Sequence, residues 1–401
     1  MDEHPPGLNP TTPLRFIPGV ELSRRYFHDA VEPVIARAFP DLRYAAALIG
    51  YGSEVLGFDT ATSTDHNWGP RVLLFLSPQD RDRWRAEILQ RLDEQVPETF
   101  LGWPTRITID DPNAADADAQ GRRPAALRIE LYTARAWFGA WLGIDGEREL
   151  DWRAWLGLPE QALLEVTEGA VYRDDTGELS ALRQRLAYFP RDIWLYKLAC
   201  QWVRIGQEQA FVGRCADVGD EVGSRIIAAR LARDIMRLCF LIERRYAPYP
   251  KWFGTAFARL ACAPEIGPLV SMALTADGRR NREAAIAEAC RRAAELHVRS
   301  RHPGALAPKL MTFSELNRRP GDRPTWNTIA PERDFTVINA AELAETIRAE
   351  IEDPEIAALA FTGGVDQFSD STDLLDWPRL AHAAAQAVNL DRETRKRPRR
   401  T

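Results

Sequence analysis

The sequence predicts an α+β protein in which an α/β domain is followed by an all-helical bundle. Two observations carry that expectation. Between residues 42 and 133, short apolar runs (LRYAAALIG, RVLLFLS and AALRIELYT) alternate with an amphipathic stretch, as strands alternate with helices. From about residue 150 strand signals give way to long segments, 178–212, 217–246, 253–275 and 281–299, with apolar residues three to four apart, which suits a bundle. The length of 401 residues fits two domains at roughly 150 residues each.

The elements follow in order. Residues 1–20 hold five prolines and read as a flexible arm. Residues 21–39 have helical spacing, with Pro33 expected to kink or break the helix. Residues 42–50 and 71–77 read as buried strands, and the Gly-, Ser-, Thr- and Asp-rich stretch 52–70 between them as a loop. Residues 78–96 open with Pro78 and acids, as helices do. Residues 105–109 give a weak strand, 110–124 a polar loop, and 125–133 a third strand that alternates Leu127, Ile129 and Leu131 against Arg128, Glu130 and Tyr132. A helix follows, and the α/β domain is expected over 21–145. The helical domain is expected over 150–300. Residues 301–390 read as loops and short helices packing on it, and 391–401 as a basic disordered tail.

Composition narrows the function. The formal charge of -6 excludes a generally basic nucleic-acid binder. Hydrophobic residues at 45% and charged residues at 27% are ordinary for a globular chain. Only Lys197, Lys251, Lys309 and Lys396 are lysines, so each is worth inspecting. Cys200, Cys215, Cys239, Cys262 and Cys290 are odd in number, with no C-x-x-C pair, which suits a reducing compartment. No signal-peptide pattern opens the chain and no run of 18 uncharged apolar residues occurs, so a cytoplasmic location without a membrane span is expected. There is no G-x-x-x-x-G-K-[ST] loop, G-x-S-x-G elbow, H-E-x-x-H pair or G-x-G-x-x-G turn after a strand.

The informative region is the first strand–loop–strand unit. Gly52-Ser53 closes an apolar strand, and Asp65-His66-Asn67-Trp68 comes after eleven intervening residues, before the next strand. A later strand carries an acid between apolar residues, Ile129-Glu130-Leu131. A tight Gly-Ser turn leaves backbone N–H groups and a hydroxyl for phosphate oxygens. Carboxylates at neighbouring strand ends can share Mg²⁺.

These residues resemble the nucleotidyltransferase superfamily, which includes the aminoglycoside nucleotidyltransferases and DNA polymerase beta. Its signature is h-G-[GS], nine to thirteen residues, D-h-[DE]-h, and a third acid on a later strand. The string GSEVLGFD…STDHNWGPR resembles more closely one branch, domain-of-unknown-function family 4037. Tyr246–Phe253 (YAPYPKWF) and Gly364–Asp373 (GVDQFSDSTD) resemble that branch as well. The resemblance implies a nucleotidyltransferase-like domain with a mixed sheet, paired with a helical domain, and the nucleotide in the cleft between them. It implies phosphate contacts at Gly52 and Ser53, and Mg²⁺ held by Asp65, Asn67 and Glu130. The implied reaction moves a nucleoside monophosphate from an NTP, ATP first among them, to a hydroxyl acceptor, with Asp65 and Glu130 catalytic. At Asn67 an amide stands where the superfamily has Asp or Glu. Its oxygen can bind Mg²⁺ but brings no charge, so the resemblance also admits a nucleotide-binding regulatory protein that does not turn over. A third reading makes the helical domain a partner-binding module on an α/β scaffold.

Other residues are weighed against packing. Asp59 lies six residues before Asp65 and could supplement the acid set. His66 has no His or Cys companions for zinc. Lys251 could reach a phosphate or lay its stem on Trp252. Tyr246 and Tyr249 suit packing; Arg225, Arg230 and Arg233 suit a paired surface; Asp366, Asp370 and Asp373 suit helix caps and solvation. Glu130 could equally belong to a solvated face beside Arg128. The acceptor, the base of the nucleotide and the oligomeric state are not legible in the sequence.

Overall fold

The computed structural model describes residues 15–65, 68–107, 125–146, 148–318 and 334–388, with the backbone alone for Asp65. Most of the expected arm, the loop 110–124, and the tail 391–401 lie outside the described residues. The chain forms two compact units. One comprises Met1–Glu149 and Ala162–Ala187; the other comprises Leu150–Gln161 and Tyr188–Thr401. The protein is α+β, with a mixed sheet in the first unit and many helices.

The first unit opens with α1 (Gly19–Tyr26) and α2 (Glu32–Ala38), joined by a π-helical turn at Phe27–Val31. Pro33 sits in the first turn of α2, where its missing N–H costs nothing, and the helix widens before it rather than breaking. The sheet is built on β1 (Tyr44–Leu48) and β2 (Val72–Leu76), which run antiparallel. Between them the loop holds a 3-10 turn at Ala61–Asp65. After β2, Ser77 caps α3 (Pro78–Gln95), its hydroxyl accepting the Asp80 N–H at 3.1 Å. Two short antiparallel pairs follow, β3 (Thr99–Phe100) with β4 (Trp103–Pro104), and β5 (Arg106–Ile107) with β6 (Ala126–Leu127). The weak strand expected at 105–109 is β5, and the strand expected at 125–133 divides into β6 and β7 (Ile129–Tyr132). β7 lies parallel to β2 at the sheet edge.

Alternation decides the two faces of the sheet. Tyr44, Ala46, Val72, Leu74, Leu76, Ile129 and Leu131 pack with Tyr26, Phe27, Ile35, Ile88 and Leu92 from the helices. On the opposite face, Phe75 meets Trp137 of α4 (Ala134–Leu142), ring centroids 5.8 Å apart.

The chain then departs from expectation. α5 (Trp152–Gly157) belongs to the second unit, and α6 (Glu160–Thr167) begins there. The chain next returns to the first unit, where β8 (Ala170–Asp174) pairs antiparallel with β1, before α7 (Glu178–Arg185). The all-helical stretch expected from 150 therefore contains an edge strand, and the sheet order is β7-β2-β1-β8. AVYRD gives a weak signal because all five of its residues are half-buried, so no apolar alternation marks them.

The second unit is built on α8 (Arg191–Glu208), α9 (Phe211–Asp217), α10 (Glu221–Ile242), α11 (Pro250–Phe257), α12 (Ala263–Thr275) and α13 (Arg279–Arg299). The stretch around 300–335, expected as loop, contributes β9 (Leu310–Thr312), which pairs antiparallel with β10 (Thr336–Ile338). The helix Ala340–Arg348 packs against α8, and the helix Pro378–Val388 against α5. A buried charge network ties the unit together. The Glu160 carboxylate and the Lys197 ammonium are each 1% exposed and lie 3.0 Å apart. Arg237 of α10 stands 3.8 Å from the same oxygen. The other Glu160 oxygen accepts the Ala247 N–H at 2.7 Å, while the Glu160 N–H donates to Asp366 at 3.0 Å. Burial pushes the Asp366 carboxyl up, and the Glu160 charge beside it pushes the same way. Among the described residues no helix is long and apolar enough to cross a membrane.

His297 of α13 is buried, with the His302 ring centroid 5.8 Å away. Burial and that neighbour lower its pKa from 6.5 to about 4. The unfolded chain therefore binds the proton more readily, so the stability His297 lends is present above pH 6.5 and is lost as pH falls toward 4. Denaturant titrations at pH 7 and pH 5 are expected to show a fall about 1–2 kcal/mol larger in the wild type than in His297→Leu. Parallel profiles would contradict this.

Candidate functional site

Strand polarity gathers the site. β1 is antiparallel to β2, with Ala47 opposite Leu73, so the C-terminal end of β1 lies beside the N-terminal end of β2. β7 is parallel to β2, with Val72 opposite Ile129 and Leu73 opposite Glu130, so its start lies at the same end of the sheet. Gly52-Ser53 follows β1, Arg71 precedes β2, and Arg128 and Glu130 stand at the start of β7.

The turn after β1 is tightly specified. The Gly50 N–H donates to the Glu165 carbonyl at 2.7 Å, and the Phe58 N–H to the Ser53 carbonyl at 2.8 Å. Gly52 has φ +125°, and a Cβ there would meet the Glu54 carboxylate at 2.5–2.7 Å. Glycine is thus required both by the backbone and by the acid tucked against it. Ser53 is half-buried. Glu54 is buried and accepts from Arg71 Nε at 3.1 Å, its ion pair with Nη2 being 3.0 Å long. Tyr51 is 43% exposed; its ring lies 6.2 Å from that of Trp141, and the Arg71 guanidinium is 4.6 Å from the Tyr51 centroid.

Glu130 is exposed and accepts a hydrogen bond from the Tyr132 hydroxyl. Burial raises the Tyr132 pKa, and the hydrogen bond and charge of Glu130 raise it further, so the phenol stays a donor. Arg128, two positions earlier on the same face, is not on a solvated surface but 7% exposed. Burial lowers its pKa, as does the Arg71 guanidinium, while Tyr51 and Glu54 oppose the shift.

Asp65 closes the 3-10 turn in the loop, and β2 begins only at Val72. The Asp65 side chain, His66 and Asn67 lie outside the described residues. Asp59, weighed as a supplement to the set, has one carboxylate oxygen engaged: it accepts the Gly19 N–H at 2.7 Å, at the start of α1, and the Trp68 indole N–H at 3.1 Å. The described residues contain no group of three His, Cys, Asp or Glu side chains able to hold a metal.

Lys251 belongs to the second unit, exposed in the first turn of α11, its ammonium 5.5 Å from the Trp252 centroid. Tyr246 packs on Phe189 and Tyr188, at 4.9 and 5.1 Å. Arg225, Arg230 and Arg233 pair with Glu221, Glu208 and Asp370. Asp366 is buried in the charge network, contrary to the solvated role expected of it. Sequence reading missed Glu54, Arg71 and Arg128. The one available signal was the period-two alternation that puts Arg128, Glu130 and Tyr132 on one face of β7.

The double constraint at Gly52 can be measured against Gly177, which has φ +74° and open space around it. Gly177→Ala is expected to lower stability by about 1 kcal/mol, from the backbone alone. Gly52→Ala is expected to cost about 2–3 kcal/mol, because Glu54 must also move. Equal losses in thermal or denaturant unfolding would show that the acid does not constrain the turn.

Comparisons with known proteins bear on both units. Residues 155–253, about a quarter of the chain, match the family model described as Domain of unknown function (DUF4037). No curated protein matches the chain. A solved structure, the crystal structure of a nucleotidyltransferase-like protein from Exiguobacterium sibiricum 255-15, aligns at 12% identity with a TM-score of 0.30. It covers 73% of this chain and 84% of that one. Over residues 155–253 the chain is therefore similar to the family that its stretch Tyr246–Phe253 resembles.

Proposed function

We propose that the first unit binds a nucleoside triphosphate with Mg²⁺ at the sheet end carrying Gly52-Ser53 and Glu130, and transfers the nucleoside monophosphate to a hydroxyl acceptor. The observation that carries this reading is the strand polarity, which brings the Gly-Ser turn and a solvent-facing carboxylate to one end of the sheet. The donor set of Asp65, Asn67 and Glu130 is oxygen only, the chemistry that suits Mg²⁺. Mg²⁺, when bound, neutralises the triphosphate. Gly52 and Ser53 hold phosphate oxygens through backbone N–H groups and the hydroxyl. The acceptor oxygen attacks the α-phosphorus in line and gives up its proton to water. As the new P–O bond forms, the bond to the α,β-bridging oxygen breaks, and pyrophosphate leaves with the electron pair. The contribution of the protein is positional and electrostatic.

A second reading, nucleotide binding without transfer, is favoured by two observations. Asn67 stands in place of an acid, and the β2 residue opposite Glu130 is the apolar Leu73 rather than a second carboxylate.

Calorimetric titration with ATP in Mg²⁺ and then in EDTA, beside Asp65→Ala and Glu130→Gln, tests both. Binding that needs Mg²⁺ and weakens at least tenfold in each variant is expected, and pyrophosphate release with an acceptor separates transfer from binding alone. Absence of binding to ATP and to the other NTPs would overturn both readings.

A further inference from the structure

We propose that Arg71 is the positioning residue of this site, fixing the Gly52-Ser53 turn from beneath in the shape that receives phosphate; the inference rests on the nucleotide reading above. One guanidinium holds both flanks of the turn. On the far side it meets the Glu54 carboxylate, at 3.1 Å from Nε and 3.0 Å from Nη2. On the near side Nη2 donates to the Tyr51 carbonyl, and the guanidinium carbon lies over the Tyr51 ring, 4.6 Å from its centroid. The two residues between these attachments are Gly52 and Ser53. Arg71 is itself anchored, being 6% exposed, with its carbonyl accepting the Ser23 hydroxyl at 2.5 Å and the next residue, Val72, opening β2. The turn is therefore referenced to the sheet through a rigid planar fork rather than through its own backbone alone. A fork can span a carboxylate and a carbonyl together, and an ammonium cannot reproduce that geometry. Because the Glu54 carboxylate occupies the space a Cβ at residue 52 would need, the backbone of the turn rests directly on the ion pair. Phosphate affinity depends on the direction of backbone N–H groups, so losing the fork costs affinity even where the fold survives.

The experiment separates position from stability. MgATP affinity and thermal midpoint are measured for the wild type, Arg71→Lys, Arg71→Met and the double variant Glu54→Met with Arg71→Met. Arg71→Met strands a buried carboxylate and is expected to lose stability as well as affinity. The double variant removes both charges, so its midpoint is expected to recover toward wild type while affinity stays at least tenfold weaker. Arg71→Lys is expected to keep most of the midpoint and lose part of the affinity. If affinity recovers together with the midpoint, or survives Arg71→Met unchanged, the role is structural and the inference is overturned. A wild type that does not bind MgATP overturns the nucleotide reading, and this inference with it.

Discussion

Chain direction in three strands decides where chemistry can occur in the first unit. β1 is the inner strand between β2 and β8, and its residues Ala45–Ala47 are small enough for layers to pack closely on both faces. Because β1 and β2 are antiparallel, the connection between them must turn at one end of the sheet. Because β2 and β7 are parallel, the start of β7 is carried back to that same end. A Gly-Ser turn, two arginines and an acid, scattered over eighty residues of sequence, become neighbours through hydrogen-bond register alone.

Each unit also encloses charges. Glu54 with Arg71 in the first unit, and Glu160 with Lys197 and Arg237 in the second, are almost without solvent. Desolvation makes such pairs poor sources of net stability, and replacing them by apolar residues is often neutral. What they supply is geometry, since a buried charge tolerates few arrangements. In the first unit that geometry is spent on an irregular turn. In the second it joins α8, α10, the 247 turn and the segment around Asp366 to the start of α6, and most of these residues fall within the stretch similar to the family of unknown function.

Much of this was legible in the sequence, and the failures have physical causes. β1, β2, α3 and β7 announced themselves because burial on one or two faces imposes apolar runs of fixed period. β8 did not, since an edge strand with every residue half-buried carries no such pattern. Pro33 signalled a disturbance but not that a π-helical turn would absorb it. Gly52, Ser53 and Glu130 were singled out by local spacing, and strand register puts them at one end of the sheet. Arg71 and Arg128 were not, because charged residues flanking a strand read as solvated until register shows them buried together. The partners of one Asp59 oxygen, Gly19 forty residues away and Trp68 nine residues away, were not legible because tertiary structure sets them.

The claim on which the account turns is that one end of the first unit's sheet receives the nucleotide. Hydrogen exchange of the full chain with and without MgATP reads this directly, segment by segment. The account predicts slowed exchange confined to residues 50–54, 65–67, 71–73 and 128–132. Protection confined to residues 155–253, or none on saturation with nucleotide, would contradict it.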